Sequence, residues 1–363
     1  MRQPLFAIIR TMITSLNKHV NYIDNLRWIA VFLLILYHTA MAYNTWGEAN
    51  YIFLGRIRPI ACIVTLMSPW FMPLMFVLAG VSSYYSLDRR GYKSFIKERF
   101  VRLGIPLVFG VLFLSPVLSF IADVTHNGYD GNYIEHYRIF FTRITDLSGY
   151  DGGFGLAHFW FILALIVISL IACAVIRSCP SSHISILIIV LAFAAVSGFD
   201  IRVAGKPVIS YLCLYLIGYY QFSDAGFVAR LSRYRKIILP VFIISTAANT
   251  FLFMYTSGLG PLNNICNYIS FISGIPALIT IGREYLNDAS PFTRFNSKIS
   301  YVFYIIHFLP VVLCQYFLSR INTGIVADFF LTVLITYPLT YGLCFLISRT
   351  RFIRVLFGLK RTR

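Results

Sequence analysis

Asp24-Asn25-Leu26-Arg27-Trp28-Ile29-Ala30-Val31-Phe32-Leu33-Leu34-Ile35-Leu36-Tyr37-His38 opens an apolar segment that carries a cation at its start and an imidazole further in. A stretch of this length and apolarity predicts a transmembrane helix, placed here at 26–46. Arg27 and His38 stand eleven positions apart. That is almost three helical turns, so both project from one face, roughly 16–17 Å apart along the axis. Asp24 lies one turn before Arg27 and can pair with it. A central charge in a span costs roughly 2.5–3.5 kcal/mol on insertion scales, so an intramembrane Arg or His is a functional candidate. The competing reading is a snorkelling Arg and a buried, hydrogen-bonded His. Either way a neutral imidazole inside an apolar bundle needs a polar neighbour, and His is well suited to proton transfer near neutral pH.

Working outward, the whole chain repeats this apolar texture. Of 363 residues, 58% are hydrophobic and 12% charged, against about 25% charged in a soluble chain. That leaves too little polar surface to coat a soluble particle, and the mean hydropathy of +0.74 points to a bilayer as solvent. Spans are expected near 26–46, 61–87, 103–122, 157–177, 184–198, 207–222, 237–257, 262–282, 299–319 and 326–348. The fold expected is all-α: a polytopic membrane bundle of about ten helices, or nine if the two short segments 184–198 and 207–222 form one re-entrant unit. Backbone groups in lipid must be satisfied internally, and these runs lack the alternation of a barrel strand.

The net charge of +17 fits either nucleic acid or membrane topology, and its distribution decides. With the N-terminus placed in the cytoplasm, about 23 Lys and Arg fall on that side and about 7 on the other. Positions 88–102 carry six and the tail 349–363 six more. Both termini are therefore expected in the cytoplasm, and no nucleic-acid partner is implied. Three regions are expected: an interfacial segment 1–25, the membrane domain 26–348 and a basic tail 349–363. The run Leu5 to Ile9 is too short to span and is read as lying on the cytoplasmic interface. The tail around Arg351 to Phe357 is a second candidate for that surface. The seven cysteines are odd in number and form no CxxC pair, so they read as small buried residues rather than a disulfide set or metal site. No metal motif, P-loop or dinucleotide fingerprint stands out.

Further motifs follow in order. Phe71-Met72-Pro73-Leu74-Met75-Phe76-Val77-Leu78-Ala79-Gly80 opens the second span, and Arg99-Phe100-Val101-Arg102-Leu103-Gly104-Ile105-Pro106 leads into the third. His158-Phe159-Trp160-Phe161-Ile162 starts the fourth, and Ser300-Tyr301-Val302-Phe303-Tyr304-Ile305-Ile306-His307 lies in the ninth. Together with Arg27 and His38 this series resembles the membrane-bound acyltransferase family 3 over nearly the whole chain, although Ala79 stands where that family usually has Ser. Tyr22-Ile23-Asp24-Asn25-Leu26-Arg27-Trp28 is most similar to the glucan-modifying succinyltransferase branch.

The resemblance implies an O-acyltransferase, an enzyme transferring groups other than amino-acyl groups. It would move acetyl or succinyl from cytoplasmic acyl-CoA to a hydroxyl of a glycan or other carbohydrate. Acyl-CoA is then a co-substrate, with no permanently bound cofactor. His38 would be the general base or a transient acyl carrier, Arg27 the donor-side cation and Asp24 its orienting partner. Arg27, Arg99 and Arg102 would hold the donor's phosphates, although ordinary positive-inside charge also explains the last two. His158, Trp160 and His307 would meet the acceptor. The first two also read as an aromatic-belt anchor, and His307 as a helix–helix hydrogen bond. The loop 123–156, with Asp123, His126, Asp130, Glu135, His136, Asp146 and Asp151 among tyrosines, suits sugar binding or simple solvation. A transporter or flippase for a small solute or lipid-linked sugar is the rival reading, disfavoured by the lack of an inverted repeat or paired broken spans.

Overall fold

The computed structural model describes residues 20–179, 184–196, 201–203, 205–321 and 323–359. The expected interfacial run Leu5 to Ile9 lies outside them. The described chain is mostly helical; besides its loops it has a two-residue antiparallel ladder that pairs Arg202 with Pro207 and Val203 with Lys206, and an isolated bridge between Ser148 and Gly155.

Helix α1 spans Asn21–Met41. It stops where the Asn44 side chain ties off the chain, its Nδ2 donating to the Met41 carbonyl and its Oδ1 accepting from the N–H groups of Gly47 and Glu48. Next come α2 (Arg58–Met67) and α3 (Phe71–Arg99), the latter interrupted at Gly91, whose φ of +70° is the left-handed region glycine tolerates. The chain continues through a wide turn at Phe100–Gly104, α4 (Ile105–Phe109), a second wide turn at Gly110–Leu114, and α5 (Ser115–His126). A short α6 (Tyr133–Thr142) follows, capped by Asn132, whose side chain accepts from the Glu135 N–H. Then come α7 (Trp160–Ser178), α8 (Ile184–Val196), α9 (Val208–Ile217) and α10 (Ala225–Ser232). The last long helices are α11 (Arg235–Tyr255), α12 (Gly260–Tyr285), α13 (Pro291–Ile306), α14 (Phe308–Ile321) and α15 (Ile325–Arg349).

Among the described residues six helical runs are long and apolar enough to cross a membrane, or seven if α13 and α14, bent by 54° at His307, form one broken span. The difference from ten sequence segments has identifiable sources. The run Arg58–His126 holds two of them on either side of Gly91, and 208–222 is a shorter apolar helix. The bend at His307 has a covalent cause. Pro310 has no N–H to return to the Ile306 carbonyl four residues back, which breaks the ladder there.

The outer surface is apolar: Ile244 and Ile272 are each 67% exposed and Leu334 70%. Water would penalise such a surface and lipid does not, so the chain is a multi-pass membrane protein. Inside, α1 is central, packed against α2, α3, α12, α13, α14 and α15. Glycines let α3 and α9 touch backbone to backbone. A Cβ on Gly80 would overlap the Tyr215 carbonyl, and one on Gly218 would overlap that of Val77. In the tail, Phe357 is buried against Phe109 with ring centroids 5.2 Å apart.

Candidate active site

Because α1 is the hub of the bundle, its side chains reach the protein interior along most of its length. His38 meets two other histidines there. Its ring centroid is 5.3 Å from that of His307, and His307 is 5.0 Å from His158. Each comes from a different place in the fold: His38 from the end of α1, His307 from the α13–α14 bend, and His158 from the short turn Ala157–Phe159 that enters α7. Ala157 adopts φ +48°, an uncommon left-handed conformation for a residue with a Cβ, immediately before His158.

Hydrogen bonds fix two of the three rings. His158 Nε2 lies 3.0 Å from the Ile305 carbonyl oxygen, and His307 Nδ1 2.7 Å from that of Tyr304. A carbonyl only accepts, so each of these nitrogens carries the proton when neutral. The lone pairs then sit on His158 Nδ1 and His307 Nε2, both buried and without a hydrogen-bond partner among the described residues. Tyr304 donates its hydroxyl to the His158 carbonyl. His38 differs: it is half-buried, packs on Phe308 at 4.1 Å between centroids, and makes no hydrogen bond among the described residues. Unlike the other two rings, it is held by no backbone carbonyl among the described residues.

At the other end of α1, Arg27 donates one edge of its guanidinium to Asp24 at 2.7 Å and the other to Ser82. These residues line a cleft of about 190 Å³ together with Tyr85, Ser86, Arg89 and Arg90. Three guanidiniums converge there, with Arg27 paired to Asp24 and Arg90 to Glu98. Arg99 and Arg102 do not line it. Arg99 donates to Ser83 at 2.7 Å, a hydroxyl that also accepts from Tyr215, and lies over the Phe95 ring. Arg102 is held by Glu98, which also binds Arg90 of the cleft.

Arg27, Val31, Leu34 and His38 form one stripe at helical spacing, so cleft and histidines lie on a common face of α1. The loop side of the histidines is covered by Tyr51, fully buried, with its ring 5.5 Å from Phe308 and 4.8 Å from Tyr150. The Tyr51 hydroxyl donates to the Ser148 carbonyl.

Trp160 points away from its sequence neighbour His158. It stacks on Tyr211 and lies beneath the Lys206 ammonium, 4.8 Å from the ring centroid. Of the loop residues, Asp123 and His136 are buried and serve the fold. The Asp123 carboxylate accepts from Arg143 at 2.9 Å and Asn127 at 2.6 Å, with His136 Nε2 3.2 Å from its second oxygen. Burial pushes the His136 imidazole below its ordinary range, against the pull of Asp123. His126 meets the Asn50 carbonyl at 2.8 Å. Asp130 and Glu135 are exposed.

Sequence reasoning passed over Ser82, Arg89, Arg90, Tyr304 and Phe308 as site residues. Arg89 and Arg90 were hidden inside the positive-inside count. Tyr304 sat within a quoted motif without a role, and only the fold brings it to His158. Among the described residues no group of three or more His, Cys, Asp or Glu is arranged to hold a metal ion.

The family model described as an acyltransferase domain matches residues 20–349, a stretch that contains the cleft, the stripe and all three histidines. No curated protein and no solved structure matches the chain.

Proposed function

Since the chain belongs to acyltransferase family 3, we propose that it transfers an acyl group from acyl-CoA to a carbohydrate hydroxyl, with His38 as general base. The observation that carries this reading is the common face of α1, with the arginine cleft at one end and His38 at the other. That arrangement suits a donor whose phosphates and thioester are separated by a long flexible arm. Arg27, Arg89 and Arg90 receive the phosphates. Asp24 fixes the Arg27 fork, and Arg99 and Arg102 extend the positive surface.

In the reaction His38 takes the acceptor's hydroxyl proton as that oxygen attacks the thioester carbonyl carbon. The carbon–sulfur bond breaks, the CoA thiolate leaves, and it receives the proton back from His38. An ester and a free thiol replace an alcohol and a thioester, with no net proton change. His158 Nδ1 and His307 Nε2 accept hydrogen bonds from the acceptor and orient it. The loop 123–156 forms the acceptor's side of the site. The membrane is placed as a bacterial inner membrane, and the charge asymmetry supports an orientation with the cleft and both termini in the cytoplasm and the acceptor glycan approaching from outside.

The test is to express the wild type and His38→Ala in a glycan-producing bacterial host and weigh ester-linked acyl groups on its glycans. The reading expects a mass increment with wild type that a folded, membrane-inserted His38→Ala lacks. An increment that survives His38→Ala undiminished overturns the role given to His38.

A further inference from the structure

Between the cleft and the histidines lies a void of about 10 Å³, lined by Val31, Leu34, Phe71, Met75, Phe161 and Tyr304 among others. We propose that this void seats the tail of the donor's acyl group, and that Leu34 and Met75 set its length limit at about two carbons. The inference rests on the acyl-transfer reading and names the class of donor it admits.

Three observations carry it. The first is position. Val31 and Leu34 belong to the Arg27–His38 stripe, and Leu34 sits one turn before His38. The opposite wall, Tyr304, lies 5.5 Å from His158 and 5.9 Å from His307 between ring centroids. A thioester reaching His38 along α1 therefore brings its acyl tail beside this void. The second is size. A volume near 10 Å³ is about one probe sphere, the room taken by one water or methyl group. The third is chemistry. All six walls named are 9% exposed or less, and five of the six side chains are apolar. The sixth, Tyr304, already donates its hydroxyl in a hydrogen bond to the His158 carbonyl. No lining group can pair with a carboxylate, and burying one unpaired is costly. The seat accepts an acetyl methyl and rejects both a succinyl carboxylate and a longer apolar chain.

Met75 is the side chain whose removal would enlarge the seat, since an unbranched thioether fills irregular gaps. Leu34 is the one whose enlargement would fill it.

The test uses the full chain in lipid nanodiscs and measures dissociation constants for CoA, acetyl-CoA, butyryl-CoA and succinyl-CoA, so no acceptor is needed. Wild type should bind acetyl-CoA about tenfold or more tightly than butyryl-CoA or succinyl-CoA, the discrimination an apolar pocket gives per misfitted group. Met75→Ala should bring butyryl-CoA to within about twofold of acetyl-CoA, leaving succinyl-CoA weak, because enlarging the seat supplies no cation. Leu34→Phe should weaken acetyl-CoA and leave CoA unchanged. Ratios within one variant do not depend on the fraction folded. Equal binding of all acyl-CoAs by wild type overturns the acyl seat and leaves the donor cleft standing. Ratios unchanged in both variants, with lowered thermal stability, mean the void is a packing gap and also overturn it. Failure of every CoA species to bind removes the acyl-transfer reading, and this inference with it.

Discussion

The Tyr304 hydroxyl donates to the main-chain carbonyl of His158, joining α13 to the entrance of α7 at the point where the three histidines meet. The bond runs in parallel with that from His158 Nε2 to the Ile305 carbonyl, so the His158 ring is held from both its backbone and its side chain.

Tyr304→Phe removes that donor and leaves the His158 carbonyl with the Trp160 N–H alone. The expected loss is about 0.6–1.7 kcal/mol of stability, the range seen for side-chain hydrogen bonds inside membrane bundles. Transfer should slow through kcat, because His158 is then less well placed. Thermal unfolding and steady-state kinetics on the same preparation check both. A wild-type kcat in Tyr304→Phe would remove Tyr304 from the positioning of His158.

The backbone contact of α3 with α9 makes Gly80 and Gly218 sensitive to a single methyl. Gly80→Ala or Gly218→Ala has to push two helices apart, and overpacking of this kind costs about 1–3 kcal/mol. The same separation would draw Tyr215 away from Ser83, the hydroxyl that holds Arg99. A drop in unfolding temperature, with weakened donor binding in the folded fraction, is the expected pair of outcomes. Gly342→Ala is the control, since a Cβ there meets nothing within 4 Å.

Ala157 predicts an unusual sign. Glycine in place of alanine ordinarily costs roughly 0.5–1 kcal/mol within regular structure, but the left-handed φ at Ala157 carries a penalty of about 1–2 kcal/mol that glycine escapes. Ala157→Gly should therefore leave the unfolding temperature unchanged or raise it. A clear decrease would mean that the Ala157 methyl matters more than the backbone conformation.

The buried loop network predicts a pH dependence. The His136 imidazole faces the Asp123 carboxylate, with Arg143 on that carboxylate's other oxygen, and its folded pKa lies below the ordinary value of 6.5. The unfolded segment then binds more protons, so stability from the neutral ring is fully present above about pH 6.5 and is lost as pH falls below it. Hydrogen exchange over α6, corrected for intrinsic rates, should quicken between pH 7.5 and pH 5.5 in wild type and much less in His136→Gln. Equal pH responses in the two proteins would place the titration elsewhere.

How far the sequence discloses this site follows from which contacts are local. Arg27 and His38 could be paired on one face from spacing alone, because helical geometry fixes direction over three turns. Asp24 followed by the same rule, and the structure pairs it with Arg27. The meeting of His158 with His307 is a tertiary contact between α7's entrance and a bend that no spacing rule locates, although Pro310 explains the bend once it is seen. Trp160 shows where local reading stops. It stands two residues from His158, and adjacency suggested a shared role, yet the turn into α7 sends the two rings to different neighbours. Charge counting recognised Arg89 and Arg90 only as a group, while the motif singled out Arg99 and Arg102. Which of them line a cleft depends on where the chain breaks at Gly91 and on which hydroxyls of α3 they reach. Loop carboxylates such as Asp123 look alike in sequence whether they face solvent or a buried arginine.

The most direct test separates the two ends of α1 in one kinetic experiment. Acyl transfer would be followed with varied donor for wild type, Arg27→Ala and His38→Ala in nanodiscs, using the glycan identified by mass spectrometry as acceptor. His38→Ala should lower kcat by about 100- to 10,000-fold with the donor KM little changed, as loss of a general base should. Arg27→Ala should chiefly raise the donor KM. A His38→Ala enzyme that keeps the wild-type kcat, or one whose only defect is donor KM, would contradict the assignment of chemistry to His38 and donor binding to the arginine cleft.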